Sequence, residues 1–328
     1  MRRRNLLILL VFAGLGACGG AGEPEAGKKL SVAVIPMGTT HEHWKAIHAG
    51  AEKAAAELDV EVIWKGPQKE DDRAQQIAVV EDMIARGVAG IVLAPLDQAA
   101  LRKPVSEARQ AGIPTVLVDS GLDGEDHISL VATDNYLGGV EGAKRLVEVL
   151  DNKGKIIMMR AMVGVASTAA REQGFLDEIE KHEGIEILSA NQFGGITVES
   201  GYQTAENLLN RFGQEVDGVF CPNESTTFGM LRALTDAGQA GKIRFVGFDT
   251  SEKLIQALEA GELSGLVLQN PFAMGEIGVR TVVQHLRTPQ APFERRIDTG
   301  VRVATPENYN DAEIAALLRP PIAQYLDE

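Results

Sequence analysis

Cysteine is scarce in this sequence, which contains two, Cys18 and Cys221, among 328 residues. Two cysteines allow one disulfide at most, and the role that we assign to Cys18 below leaves Cys221 without a partner in the chain. The fold must therefore be held together by apolar cores rather than by cross-links. Aromatic residues are also few, at 5%, which suits an α/β architecture whose core is filled by aliphatic strands.

An excess of positive charge is also lacking. The chain has 32 lysines and arginines against 46 aspartates and glutamates, and without the three arginines at positions 2–4 the balance is 29 against 46, or −17. Such a balance argues against nucleic acid and anionic lipid as partners, since both require a basic face. The hydrophobic fraction of 45% and the charged fraction of 24% are those of a globular protein. A chain of about 310 residues can form two cores.

The N-terminal segment has the order of a secretory signal. The arginines precede an apolar run from Leu6 to Phe12, which is too short to span a bilayer, and small residues follow. This stretch closes as Leu15-Gly16-Ala17-Cys18, which resembles the lipobox of bacterial lipoproteins, whose cysteine receives a diacylglyceryl group. We predict a signal peptide over residues 1–17, a lipid-modified Cys18 and a flexible tether over residues 18–29. The alternative is an ordinary signal peptide that ends on a chance cysteine.

These features predict an exported protein, anchored by lipid at the periplasmic or extracellular face of a membrane. No later stretch is apolar enough to cross a membrane.

Behind the tether, short apolar runs alternate with helical patterns of about twelve to sixteen residues, which is typical of parallel βαβ units. The first half predicts strands at 31–36, 60–64, 89–94 and 113–119, and helices at 44–58, 72–86 and 98–111. After a connecting segment at 128–135, the second half predicts helices at 136–150, 168–181, 198–211, 226–237 and 252–260, and strands at 155–160, 185–189, 216–221, 243–249 and 264–269. A helix at 272–286 and a strand near 300–303 are also predicted, but alternation alone does not assign them to either half.

Polar residues follow the carboxyl ends of five predicted strands, where ligands bind in open parallel sheets. A hydroxylated ligand needs fixed donors and acceptors together with a flat apolar surface for its C–H groups, and these residues supply both. The five segments are Thr39 to Trp44, Asp119-Ser120, Pro222 to Glu224, Asp249-Thr250 and Gln269-Asn270.

Each of these residues taken alone also has a purely structural interpretation. Asp119 could form a turn before Gly121, and Asn223 could cap the helix that follows it. Trp44 could belong to the core, since it begins an amphipathic helix. Agreement among five strand ends is much less easily explained by chance, so the prediction of a ligand site rests on the set.

Metal and enzyme chemistry have weaker support. His41 and His43 lie two residues apart with His48 nearby, but they lack the spaced ligand set of a known zinc site. No strand leads into a Gly-x-Gly-x-x-Gly turn, and neither a phosphate loop nor a Gly-x-Ser-x-Gly elbow occurs. We therefore predict no metal, no cofactor and no enzymatic activity.

Four segments carry a resemblance that runs from about Leu30 to the C-terminus. Their order and spacing are similar to those of ribose-binding-protein-like members of the type I periplasmic binding proteins, which serve bacterial sugar ABC transporters. The segments are Gln110-Ala111-Gly112-Ile113-Pro114, Ala132-Thr133-Asp134-Asn135, Ala170-Arg171-Glu172-Gln173-Gly174-Phe175 and Val246-Gly247-Phe248-Asp249.

The resemblance implies an α/β fold of two Rossmann-like lobes, each a parallel sheet flanked by helices, joined by a three-segment hinge. The crossings would lie near Asp134, Gln269 and Asp298, so that Asp134 and Asn135 have a hinge or turn role rather than contact the ligand. Residues 30–133 and 270–298 would form the N-terminal lobe, and residues 134–269 and 299–328 the C-terminal lobe.

The resemblance also implies a ligand site in the cleft between the lobes. In the family, the arginine that matches Arg171 and two aspartates bind sugar hydroxyls, and aromatic side chains stack on the sugar ring. Arg171 could instead pair with a surface carboxylate. The implied ligand contacts are His41, His43, Trp44, Asp119, Ser120, Arg171, Asn223, Asp249 and Gln269.

Several positions depart from the ribose-binding pattern. His41, His43 and Trp44 stand where that pattern has an asparagine and two phenylalanines. Ser120 replaces an arginine, and a stacking aromatic of the second lobe is replaced near Ile196. These differences argue against ribose itself as the ligand.

The sequence thus predicts a monomeric substrate-binding protein that captures a small polar ligand, a monosaccharide or polyol, for an ABC transporter permease. The alternative is a ligand-sensing subunit for a membrane receptor or histidine kinase. A transcriptional regulator of the related repressor family would need an N-terminal helix-turn-helix, and an export signal occupies that place.

Overall fold

The computed structural model describes residues 29–326. Within them, the chain forms two six-stranded sheets flanked by helices, which confirms the prediction of an α/β protein with two lobes. No helix in this range is long and apolar enough to cross a membrane. The predicted signal peptide, Cys18 and nearly all of the tether lie outside the described residues.

The helices and strands alternate through most of the chain. Up to the first crossing they are β1 (Ser31–Ile35), α1 (Glu42–Leu58), β2 (Glu61–Trp64), α2 (Arg73–Arg86), β3 (Gly90–Leu93), α3 (Arg102–Gln110), β4 (Thr115–Val118) and β5 (Ser129–Ala132). The next series is α4 (Asn135–Val149), β6 (Gly154–Arg160), α5 (Ala166–Ile179), β7 (Ile185–Phe193), α6 (Val198–Phe212), β8 (Gly218–Phe220), α7 (Glu224–Asp236), β9 (Arg244–Phe248), α8 (Glu252–Glu259) and β10 (Gly265–Leu268). The chain ends with α9 (Pro271–Arg287), β11 (Arg296–Asp298), β12 (Arg302–Ala304), α10 (Ala312–Leu318) and a 3₁₀ turn, η1 (Ile322–Gln324).

The two sheets use the same strand order. The first sheet runs β11-β5-β4-β3-β1-β2, and all neighbouring strands are parallel. The second runs β12-β10-β9-β8-β6-β7 and is parallel except for the β10–β12 pair. Strands β3 and β4 are buried along their whole length, as their uninterrupted aliphatic sequences predict for strands covered on both faces.

In the first lobe, helix α9 packs closely against α1 and against β3 and β4. The close approach requires glycine on both helices. A Cβ atom on Gly50 would lie 1.9 Å from the carbonyl oxygen of Phe272, and one on Gly275 would lie 1.9 Å from that of Ile47. This crossing holds the start of α1, where two of the predicted site residues lie, against the sheet.

In the second lobe, helices α4 and α5 repeat the arrangement. A Cβ atom on Gly139 would lie 1.9 Å from the carbonyl oxygen of Arg171, and one on Gly174 would lie 2.1 Å from that of Tyr136. The backbone of Arg171 is therefore part of the helix crossing itself, which fixes where its side chain begins.

The chain crosses from one lobe to the other three times, at 133–134, 269–270 and 299–301. At each crossing, an element of one lobe is followed directly by an element of the other. The first and third passages are tied together, since Thr133 Oγ1 donates to the carbonyl oxygen of Gly300 at 3.0 Å. The backbone N–H of Asp134 also donates to Asp298 Oδ1 at 3.1 Å.

The C-terminal segment makes a further passage that the sequence does not predict. Thr250 of the second lobe holds the end of α10 through a hydrogen bond from its hydroxyl to the carbonyl oxygen of Leu318, at 3.3 Å. The turn η1 then packs against α1, and the Tyr325 ring lies 5.6 Å from the Phe272 ring of α9. The last residues described thus lie against the first lobe.

Every predicted helix and strand overlaps an observed one, and the differences lie where alternation fails. Strand β5 forms inside the predicted connecting segment. It was not predicted because no helix separates it from β4, so the alternation of strands and helices fails there. Strand β7 continues to Phe193, beyond its predicted end. Strand β11 and helix α10 were not predicted from the sequence pattern, since they are short, with three and seven residues.

Candidate functional site

Eight of the nine predicted ligand contacts line one pocket between the carboxyl ends of the two sheets. His41, His43, Trp44 and Asp119 come from the first lobe, and Arg171, Asn223, Asp249 and Gln269 from the second. Ser120, the ninth, is fully buried, and its hydroxyl accepts a hydrogen bond from the backbone N–H of Ser167 at 3.2 Å. Ser120 therefore joins the two lobes directly beneath the pocket.

Two aspartates occupy equivalent positions at the ends of β4 and β9. Asp119 and Asp249 have φ angles of 63° and 68°, in the left-handed region that residues other than glycine rarely adopt. Each backbone N–H donates to the neighbouring strand, at 3.0 Å to Val131 and at 2.9 Å to Val267. Strained residues of this kind cluster at functional sites, and here the neighbouring strand holds each in place.

Arg171 lies between these two carboxylates. Its guanidinium nitrogens are 3.9 Å from Asp119 Oδ1 and 3.7 Å from Asp249 Oδ2. Its Nε donates to Asn135 Oδ1 at 2.8 Å, and Nη1 donates to the carbonyl oxygen of Pro222 at 2.9 Å. The group also lies over the Phe248 ring, 4.0 Å from its centre. Arg171 is 2% exposed and is thus held in the second lobe facing the first, rather than paired on the surface.

His43 connects the two aspartates from the first lobe. Its Nε2 lies 3.0 Å from Asp119 Oδ1, and its Nδ1 lies 3.8 Å from Asp249 Oδ1. Burial alone lowers the pKa of His43, but the hydrogen bond and the negative charge of Asp119 raise it above the ordinary value. Burial raises the pKa of Asp119, but His43 and Arg171 outweigh this effect and lower it. The pair is therefore charged, with the imidazolium donating to the carboxylate.

His41 and Trp44 share a partner that sequence reasoning missed. The carboxyl oxygen Oε1 of Glu70 lies 2.6 Å from His41 Nδ1 and accepts from Trp44 Nε1 at 2.5 Å. Burial lowers the pKa of His41, but the hydrogen bond to Glu70 and the nearby carboxylates raise it to about 9. Glu70 lies in the loop that follows β2, so the strand-end rule applied to that strand would have indicated it.

Trp44 belongs to the core of the first lobe and also lines the pocket. The side chain is 4% exposed and packs with Ile47 and Val34 in the apolar core of the first lobe. Its indole also lines the pocket and meets the His43 ring edge-on, with centres 4.8 Å apart and planes at 88°.

Asn223 caps helix α7, as its structural interpretation predicts, and also lines the pocket. Its Oδ1 accepts from the backbone N–H of Thr226 at 3.4 Å, and its Nδ2 donates to Ser225 Oγ at 2.9 Å. Gln269 donates from Nε2 to Asp249 Oδ1 at 2.6 Å, and its buried Oε1 has no hydrogen-bond partner within the part of the chain that the structure describes.

Two further residues join the cluster. Asn135, predicted as a hinge or turn residue, donates from Nδ2 to the carbonyl oxygen of Asp119 at 3.3 Å and accepts from Arg171. Glu224 follows the cap of α7, and its backbone N–H donates to Asp249 Oδ2 at 3.0 Å. Burial raises the pKa of the Glu224 carboxyl to about 7. Asn135 lies beyond an unpredicted strand, so no strand-end rule could indicate it.

Taken together, the pocket offers carboxylates, a guanidinium, imidazoles and an amide within a space enclosed by both lobes. Such groups bind hydroxyls through charge-assisted hydrogen bonds. Among residues 29–326, no group of three or more histidine, cysteine, aspartate or glutamate side chains is arranged to hold a metal ion.

Comparison with known proteins agrees with this geometry. Residues 32–290 match the family model described as periplasmic binding protein domain. The chain is 26% identical over 301 residues to the ribose import binding protein RbsB of Haemophilus influenzae, covering 92% of this chain and 99% of the relative. It is 28% identical over 263 residues to the xylitol-binding protein of Mycolicibacterium smegmatis, covering 79% and 73%.

A solved structure is similar over nearly the whole fold. It is an ABC transporter solute-binding protein of Agrobacterium vitis with bound D-fucose, 31% identical, with a TM-score of 0.84 over 88% of this chain and 100% of that chain. The resemblance inferred from the sequence is thus confirmed, as is the prediction of a binding protein rather than an enzyme. The chain belongs to the periplasmic binding protein family, and the relatives named above are sugar- or polyol-binding proteins.

Proposed function

We propose that this protein is the substrate-binding component of an ABC importer and captures a monosaccharide or polyol in the cleft between its lobes. The observation that carries the proposal is the set of Asp119, Arg171 and Asp249, in which one guanidinium faces a carboxylate from each lobe within 4 Å. A ligand with several hydroxyls can accept from the guanidinium and donate to both carboxylates at once.

The relatives support this ligand class. The similar proteins named above include a ribose import binding protein, a xylitol-binding protein and a solute-binding protein with bound D-fucose. These three ligands are neutral molecules with several hydroxyl groups. Trp44 offers an indole beside the polar groups, and an aromatic surface suits the C–H groups of such ligands.

Capture is proposed to proceed by closure of the hinge. The contacts of His43 with Asp249 and of Arg171 with Asp119 join the lobes directly and correspond to a closed arrangement. A ligand that contacts groups of both lobes binds the closed form more tightly and shifts the population towards it. We propose residues 30–133 with 270–298 and residues 134–269 with 299–328 as the moving lobes, with η1 returning to the first.

A ligand screen by thermal unfolding tests this function. Pentoses, hexoses and polyols are added separately, with amino acids as the comparison class. A ligand at a hundred times its dissociation constant stabilises the folded protein by about 2.7 kcal/mol, so a true ligand raises the melting temperature clearly. Stabilisation by amino acids, with none by any carbohydrate, would refute the proposal.

For localisation, we propose an exported, monomeric protein that is anchored through diacylglyceryl-Cys18 and meets the permease at the membrane. Two acyl chains suffice for stable anchoring. A Cys18→Ser variant is then expected to leave the membrane fraction or to retain its signal peptide, as seen by fractionation and mass spectrometry. Recovery of a cleaved variant in the membrane fraction would contradict lipid anchoring.

A further inference from the structure

The charges in the cleft can be counted and paired. The histidines are included because neighbouring carboxylates raise both of their pKa values. The carboxylates are Glu70, Asp119, Glu224 and Asp249, and the cationic groups are His41, His43 and Arg171.

Three of the four carboxylates have a cationic partner. Glu70 pairs with His41 at 2.6 Å, and Asp119 pairs with His43 at 3.0 Å. Arg171 lies 3.7 Å from Asp249, which also accepts from Gln269. These pairs balance one another, so Glu224 is the remaining acid of the pocket, without a cationic side chain at ion-pair distance among the described residues.

The carboxyl group of Glu224 accepts few hydrogen bonds from the described residues. Its carboxyl group lies inside the cleft, and the contact found for it within the described part of the chain is the backbone N–H of His43, 3.5 Å from Oε2. A half-buried carboxylate with one long donor contact has lost part of its hydration without full replacement, which is costly. A partner that arrives with the ligand would remove that cost.

A second unfilled acceptor lines the same pocket. Gln269 is 4% exposed, and its Oε1 has no hydrogen-bond partner among residues 29–326. Both residues flank the Asp249 carboxylate, since Gln269 Nε2 donates to Oδ1 and the Glu224 backbone N–H donates to Oδ2. The three residues thus present acceptors around one side of the pocket, and an ammonium group has three donors to offer.

We propose that the ligand carries an amino group, as an amino sugar or amino polyol does, and that Glu224 with Gln269 receives its ammonium. The inference rests on the proposed function and narrows it, because the hydroxyls of the same ligand would still bind Asp119, Arg171 and Asp249. Glu224 is then the residue that makes the site selective for amino ligands over neutral ones.

The titration of Glu224 supplies a second readout. Burial raises its pKa to about 7, with Asp249 and Glu70 acting in the same direction and His41 and His43 against it. The ammonium of an amino polyol stays charged between pH 6 and pH 8, whereas that of a 2-amino sugar begins to lose its proton in this interval. Glu224 passes from mostly protonated to mostly ionised over the same interval. Affinity for an amino polyol should therefore rise by up to about tenfold over this interval.

Titration calorimetry on the full mature chain tests the proposal with matched pairs of ligands. The pairs are D-glucosamine with D-glucose, D-galactosamine with D-galactose, and 1-amino-1-deoxy-D-sorbitol with D-sorbitol, each measured at pH 6 and pH 8. The variants are wild type, Glu224→Gln, and Glu81→Gln, which makes the same change on the exposed surface of α2.

We expect an amino compound to bind wild type more tightly than its neutral partner, and for the 1-amino-1-deoxy-D-sorbitol pair we expect this preference to grow from pH 6 to pH 8. Glu224→Gln should lose about ten- to a hundredfold of that affinity and the pH dependence, while Glu81→Gln retains both. Binding of neutral compounds with no amino preference, unchanged in Glu224→Gln, overturns this inference and leaves the proposed function standing. Failure of all three amino compounds to bind a folded wild type that binds a neutral sugar or polyol in the thermal screen also overturns this inference, whereas the proposed function falls only if that screen finds no carbohydrate ligand.

Discussion

The two lobes repeat one scaffold but present different side chains to the cleft. Both use the same strand order, and both end a central strand in a left-handed aspartate. The first lobe adds imidazoles and an indole, whereas the second adds a guanidinium and amides. The backbone of the site is thus duplicated while its chemistry is not, which lets two similar halves hold an asymmetric ligand.

The largest effect should come from Trp44, because the first lobe uses one side chain for both its core and its pocket. Trp44→Ala should lower the free energy of unfolding by about 3–5 kcal/mol, the usual cost of truncating a buried aromatic. Trp44→Phe keeps most of the packing and removes the hydrogen bond to Glu70, at a cost of about 1–3 kcal/mol. Urea unfolding measures both. An unchanged stability for Trp44→Ala would mean that the indole belongs to the pocket alone.

A pH effect should also separate the lobes. The pKa of His41 is raised from 6.5 to about 9, so its stabilisation is complete below pH 6.5 and is lost as pH rises through 9. The linked free energy is about 3 kcal/mol. Unfolding measured between pH 6.5 and pH 9.5 should therefore show falling stability in wild type and a smaller fall in His41→Gln.

His182→Gln is the matched control for this effect, since His182 lies in the second lobe, away from the pocket. That variant should keep the slope of wild type. Equal slopes in wild type and His41→Gln would show that the contact between His41 and Glu70 does not persist in solution.

The glycine crossings should respond alike in the two lobes. Gly50→Ala in the first and Gly139→Ala in the second each place a methyl group 1.9 Å from a carbonyl oxygen. Each should cost about 1–3 kcal/mol or more, because the helices must move apart. Gly121→Ala, whose Cβ would lie 3.9 Å from its nearest neighbour, is the control and should change the free energy of unfolding little. If only one of the two variants has a lower free energy of unfolding, the two helix crossings are not equivalent.

Particular residues show how much of the site and the fold the sequence predicts. Asp119 and Asp249 were found because both follow aliphatic strands, and the carboxyl ends of parallel strands meet at one edge. Glu70 was missed because the strand-end rule was not applied to β2, which it follows. Glu224 belongs to a strand-end segment but was not predicted as a contact, because its role depends on the side chains around it in the pocket. Strand β5 was missed because four residues without a preceding helix give no periodic signal.

The sequence predicts which side chains line the pocket more successfully than it predicts the contacts that fix their positions. Arg171 is indicated by a motif, yet Asn135, Pro222 and Phe248 fix its guanidinium through contacts distant in the chain. These contacts depend on the packing of α4, α5 and β9, which no local pattern specifies.

The most direct test of capture between the lobes is small-angle scattering with a ligand identified by the thermal screen. Wild type should show a smaller radius of gyration at saturating ligand than without it, because contacts from both lobes favour the closed form. Asp249→Asn, which weakens the second lobe's share of the site, should need more ligand for the same compaction. A radius of gyration that stays unchanged in wild type at saturation would contradict the account.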